Sequence, residues 1–125
     1  TANWKTFVSS NNNFSIKAPS LWSVSGYQSL ILNADCLYLE NDNSIILSAC
    51  YRYSKFADSI FSDVPLRSGV KKTEINGLVA YNDNSLLLND YYIIHPDGTF
   101  ILITPGTKLD DDLFQKVVLS FQFIK

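Results

Sequence analysis

The chain has 125 residues, 46% of them hydrophobic, 14% aromatic and 18% charged, with a formal net charge of −2 and a sequence pI near 5.1. This is enough apolar material for one packed core and too little charge for a disordered chain. The densest cationic pair is Lys71-Lys72, so no phosphate-tracking surface is expected and nucleic acid is not expected as a partner. No apolar run nears the roughly 20 residues of a membrane-spanning helix.

Residues 4–8 alternate weakly and read as an edge strand, and residues 9–13 as a polar turn. Residues 14–17 alternate as a half-buried strand that Pro19 ends, with Ser20-Leu21-Trp22 forming a single turn. Residues 35–39 and 45–51 read as a hairpin around Asn41-Asp42-Asn43-Ser44. With Asn43 at its centre, Cys36 faces Cys50. Opposed cysteines on antiparallel strands lie close enough for a disulfide, worth about 3 kcal/mol for so short a loop. The alternative is two buried thiols in a reducing cytoplasm, because a one-residue slip separates the sulfurs. The bridge is the favoured reading, and it argues for an extracytoplasmic or cell-surface location. Asn13-Phe14-Ser15 is a glycosylation sequon, a triplet common by chance.

Residues 55–64 change period. Phe56, Ile60, Phe61 and Val64 share one helical face, Ser54 is a suitable N-cap, and Pro65 stops the run. Residues 71–75 return to strand, Asn76-Gly77 is a strong hairpin signal, and residues 78–81 lead out of it. Asn82-Asp83-Asn84 echoes Asn41-Asp42-Asn43 and reads as a second turn. Residues 85–88 and 90–94 make one long strand or two short ones. His95-Pro96-Asp97-Gly98 is a turn before a partner strand at 99–104. Both faces of Tyr91-Tyr92-Ile93-Ile94 and Phe100-Ile101-Leu102-Ile103 are apolar, which places this pair mid-sheet with cover on both sides. Pro105-Gly106 breaks the strand, and residues 107–110 have capping-box spacing. Leu113, Phe114, Val117, Val118 and Phe121 form a helical stripe behind Asp110, Asp111 and Asp112 in the first turn. Nothing divides the chain, so residues 1–125 read as one domain. The chain contains no Met. Processing, or the choice of boundaries, is therefore expected to set its start at Thr1, which leaves a signal or membrane anchor upstream open.

No catalytic residue, metal ligand or cofactor site is expected. His95 is the one histidine and stands in a turn, without a partner at ligand spacing. The Asp110–112 run and the two Asn-Asp-Asn stretches lack the glycine and glutamate of a calcium loop. No nucleophile motif or phosphate-cradling glycine loop is present. Among the aromatics, Trp22, Tyr91 and Tyr92 read as core, while Trp4 and Tyr53 are the candidates for partner binding. Tyr27, Tyr38, Tyr51 and Tyr81 complete that pool.

Phe14, Ser15, Ile16, Pro19, Ser20 and Trp22, then Ile75-Asn76-Gly77, Asp97-Gly98, and Ser120, Phe121 and Phe123 together resemble the PsbP-like domain family. The resemblance runs over nearly the whole chain. It implies an α+β fold, an antiparallel sheet of about six strands flanked by helices on both faces. It also implies the company of photosystem-associated extrinsic proteins, a Ran-binding nuclear protein and many prokaryotic exported or lipid-anchored domains. No counterpart of the basic N-terminal arm of the plant members is expected, and none of the motif residues is catalytic in the family. The expected function is a non-enzymatic, extracytoplasmic binding or accessory domain docking onto a protein or cell-envelope partner. The alternative is a small hydrolase or ligand-binding enzyme, in which two or more of Asp35, Glu40, Asp58, Asp63, Glu74 and Asp90 converge in a cleft.

Overall fold

A computed structural model describes residues 3–25, 33–86 and 88–124. Tyr27 lies outside the described residues. Strands β1 (Trp4–Val8), β2 (Phe14–Pro19) and β10 (Gln122–Phe123) form a three-stranded sheet in the order β1-β2-β10. Strands β3 (Ser23–Val24), β4 (Ala34–Asn41), β5 (Ser44–Arg52), β6 (Val70–Ile75), β7 (Leu78–Leu86), β8 (Leu88–Ile94) and β9 (Phe100–Pro105) form a seven-stranded sheet in the order β3-β4-β5-β9-β8-β7-β6. Every pairing is antiparallel. One α-helix, α1 (Asp111–Leu119), precedes β10.

The strands β8 and β9, apolar on both faces, stand in the interior of the large sheet as expected. Tyr91, Ile93, Ile101 and Ile103 face the main core with Leu37, Leu47 and Ala49. Phe14 and Ile16 from β2, and Phe114, Val117, Val118 and Phe121 from α1 and its exit, close that core. Side chains alternate along a strand, so Tyr92 and Phe100 point to the opposite face, where they bury against Val64. We call this second side the outer face.

The helix-flanked sandwich is corrected here. The fold is mostly β, with two sheets and a single α-helix among the described residues. Among the described residues the helical layer lies on the inner face, shared with the small sheet. The outer face is covered by a strap, residues 53–69, holding two short 3-10 turns, Phe56–Asp58 and Val64–Leu66. Phe56, Phe61 and Val64 pack inward as the periodicity implied, but Ile60 is 83% exposed. The reason is local competition. Ser59 Oγ donates to the Phe56 carbonyl at 2.8 Å and accepts from the Phe61 N–H at 3.1 Å, occupying groups a helix would use. Ser54 caps nothing: Lys55 precedes the first turn without a side-chain cap. The strap must also cross from β5 to β6, four strand spacings of about 4.8 Å each, which favours an open trace.

Two further expectations shift. Asp110 itself caps α1, its carboxylate accepting from the Leu113 N–H at 3.1 Å, so the capping box opened by Thr107 does not form. Asn82-Asp83-Asn84 is strand, not turn. Asn82 Nδ2 donates to Asn89 Oδ1 at 2.6 Å and to the Asp90 carbonyl at 3.2 Å, tying β7 to β8 until the chain reverses between Leu86 and Leu88. The matching stretch near position 42 does turn, with Asp42 and Asn43 both at positive φ.

That two-residue turn alone would set Cys36 against Ala49. A bulge corrects the register: Asn41 and Glu40 face Ser44 and Ile45, whereas Leu39 faces Leu47, leaving Ile46 as the extra residue. Cys36 therefore faces Cys50, and the two form a disulfide. The bulge points both Ile46 and Leu47 into the main core.

Candidate functional site

Among the described residues, a cleft of about 450 Å³ with a mainly apolar lining opens on the outer face. Lys55, Phe56, Ala57 and Asp58 line it from the strap, Val79 and Tyr81 from β7, Ile94 from β8, and Gly98 from the β8–β9 turn. Its volume falls in the range of small-ligand pockets. The turn builds one wall. Gly98 takes φ +93°, and its carbonyl accepts the Phe56 N–H at 2.8 Å, docking the strap on the turn. Lys55 runs over Gly98, where a β-carbon would meet Lys55 Cδ at 2.9 Å, and its ammonium donates to the Asp97 carbonyl.

The aromatic side chains fix the strap. Phe56 stacks on Tyr81 at 5.9 Å and 12°, and stands edge-on to Phe100 at 5.2 Å. Phe61 meets Tyr92 at 5.4 Å and lies under the Arg52 guanidinium at 5.6 Å. Such ring pairs add about 0.5–1.5 kcal/mol each beyond burial, enough to hold an otherwise irregular segment. Val79 remains 43% exposed at the mouth, beside Asp58.

Farther along the same face, Asp83 on β7 stands directly opposite Asp90 on β8. Asp83 is buried, and Arg67 from the strap reaches it at 3.6 Å while pairing with Asp63 at 3.1 Å. Burial pushes the Asp90 carboxyl above its usual range. A hydrogen bond with Thr104 opposes this and the charge of Asp83 adds to it. Asp90 Oδ1 has no hydrogen-bond partner among the described residues. Burial likewise pushes Tyr92 up to about 12, with Asp90 and Asp83 reinforcing the shift. The shift favours the protonated form of the Asp90 carboxyl.

The six carboxylates considered in the sequence do not share one cleft. Asp35 is buried at the inner side, where Oδ2 accepts from the Asn11 N–H at 3.2 Å and Asn13 Nδ2 at 3.0 Å. Glu40 lies beside the first hairpin turn, Asp58 lines the cleft, Asp63 pairs with Arg67, and Glu74 is exposed on β6. Asp90 meets Asp83, a residue hidden within the apparent turn. The partner candidates are separated as well. Trp4 pairs with Pro19 at the open end of the β1–β2 hairpin and lines a shallow hollow with Lys17, Lys116 and Leu119. Tyr53 stands at the turn end of that hairpin, its hydroxyl accepting from Asn13 Nδ2 at 2.8 Å and Asn11 Nδ2 at 3.1 Å. Tyr53 is thus part of a polar staple as well as 46% exposed. Asn13 of the sequon is buried and its amide is committed to that staple. His95 sits at 4.7 Å, edge-on to Phe123, and lines a 380 Å³ hollow with Asn76 and Leu78.

Two of the motif residues, Ser120 and Asn76, prove to be joints. Ser120 Oγ accepts the Lys17 N–H at 2.8 Å and donates within α1 to the Val117 carbonyl at 2.5 Å, fastening the end of α1 to β2. Asn76 Nδ2 donates to the Leu119 and Phe121 carbonyls at 3.1 and 2.6 Å. Those carbonyls at the helix exit lack intrahelical donors.

No family model and no curated protein matches the chain. Among solved structures, a protein from Bacteroides thetaiotaomicron VPI-5482, determined at 1.50 Å, is similar with a TM-score of 0.57 and 13% identity. The match covers 97% of this chain and 48% of that one, so the chain spans about half the length of its structural neighbour. This likeness is one of fold.

Proposed function

We propose that this domain is a non-catalytic docking module of an extracytoplasmic or cell-surface protein, and that it grips an apolar group of a protein or cell-envelope partner. The observation that carries the reading is the outer-face cleft, an aromatic-walled concavity of about 450 Å³ with Val79 exposed at its mouth. Apolar pockets with a few polar groups at the rim are the usual form of a binding site. The disulfide adds support, because such bridges persist in oxidising compartments.

The test is a photo-crosslinking residue placed at Ala57 in the native host. A discrete adduct is expected with the wild-type cleft, and Val79→Arg, which fills the mouth from an exposed position, is expected to abolish it. No adduct, or an adduct indifferent to Val79→Arg, would overturn the reading. A second reading, a small hydrolase, draws on the raised pKa of Asp90 opposite Asp83. It requires turnover of some ester, amide or glycoside that Asp90→Asn removes.

A further inference from the structure

β6 is the far edge of the seven-stranded sheet, and Lys71, Lys72, Thr73 and Glu74 on it are all exposed. Among the described residues β7 is the only strand beside it. Ile75 faces Leu78 across the two-residue Asn76-Gly77 turn. In such a hairpin the closing pair is hydrogen-bonded, so Ile75, Thr73 and Lys71 direct their backbone groups to β7. Lys72 and Glu74 then turn N–H and C=O outward, where an antiparallel strand can take them, whereas the Val70 N–H donates to the Arg67 carbonyl at 3.4 Å.

For a second copy of the same edge, two-fold symmetry leaves few registers, and charge separates them. Centring on Lys72 sets Lys72 against its own copy, and centring on Glu74 sets Glu74 against its own copy. Like charges directly opposite are destabilising. Centring nearer Val70 pairs fewer residues. Centring on Thr73 sets Lys72 against Glu74 twice, on one face of the joint sheet, with both residues in hydrogen-bonded positions. Lysines on an edge normally discourage pairing; here they discourage every long register except this one. We propose that β6 is a self-association edge, through which two copies join antiparallel about Thr73 into one continuous sheet. The two outer faces then lie on the same side, with the β7 strands about 14 Å apart, three strand spacings. The proposal does not depend on what the cleft binds.

Sedimentation equilibrium from micromolar to millimolar protein, at low and high salt, tests it. The wild-type domain is expected to dimerise, and more weakly in high salt. Lys72→Glu and Glu74→Lys should each weaken the dimer about tenfold, since each places two like-charge pairs across the edge. The double exchange Lys72→Glu/Glu74→Lys should restore it. Both positions changed are exposed, and thermal unfolding checks that each of the three variants folds. A wild type monomeric at millimolar concentration would overturn the proposal. So would a dimer indifferent to the single reversals, or singles that the double exchange fails to rescue.

Discussion

Asp90 and Gly106 show how single positions carry opposite kinds of constraint. The fold holds the Asp90 proton more tightly than an unfolded chain does, because its carboxyl is raised by burial and by Asp83. The stability linked to that proton is complete below the ordinary value of 3.8 and is lost as pH rises through the folded value. Asp90→Asn should therefore stabilise the protein at pH 7, on the order of 0.5 kcal/mol because the half-buried site is screened by solvent. The gain should vanish below the ordinary carboxylate range. Urea unfolding at both pH values checks this, and an equal gain at both would contradict it. At Gly106 the constraint is space. An added β-carbon would stand 2.7 Å from the Ile45 carbonyl oxygen and 3.0 Å from Ile46 Cα, the backbone of the bulge. Gly106→Ala should cost about 1–3 kcal/mol, seen as a lower urea midpoint. Neither constraint was visible along the chain. Gly106 reads as a strand breaker, and the Asp83–Asp90 pairing depends on where the β7–β8 hairpin turns.

The elements that could be read were those whose local signals agree with their tertiary setting. The Asn76-Gly77 and His95–Gly98 turns, the doubly apolar β8 and β9, and the stripe of α1 all formed where their patterns placed them. The strap did not, because Ser59 bonds to the backbone and the aromatic residues are held by the sheet instead of by helical neighbours. For the same reason the cleft was hidden: Phe56 and Asp58 were read on a helix, far from Val79 and Tyr81. Phe61→Ala should remove the grip of the strap on Tyr92 and Phe100, at a cost of about 3 kcal/mol. Hydrogen exchange should then accelerate first within residues 53–69, and uniform acceleration across the sheet would count against that. Asn76→Gly tests the helix joint separately. Glycine keeps the positive φ of the turn but loses the bonds to the Leu119 and Phe121 carbonyls, so a loss of about 1 kcal/mol in thermal unfolding is expected.

For the molecule as a whole, the layers differ in what holds them. The inner face is closed by a helix and a small sheet welded through Ser120 and Asn76, whereas the outer face is closed by an irregular strap that leaves an opening. The Cys36–Cys50 bridge clamps the β4–β5 hairpin within the large sheet. Its pairing was legible in the sequence, although the position of the turn and the bulge each shift the register by a part that only the fold displays. Cys36→Ala/Cys50→Ala should keep the fold, whose main core lies on the other face, and lose about 3 kcal/mol in urea unfolding. The most direct measurement is an amide-resolved NMR titration of the wild-type domain with N-acetylphenylalaninamide, a minimal apolar side chain on a peptide backbone. Shift changes should centre on Phe56, Ala57, Val79, Tyr81, Ile94 and Gly98, and should disappear in Val79→Arg. Saturating probe without changes there, or changes centred on the Trp4 or His95 hollows, would show that the outer-face cleft is not where this domain docks.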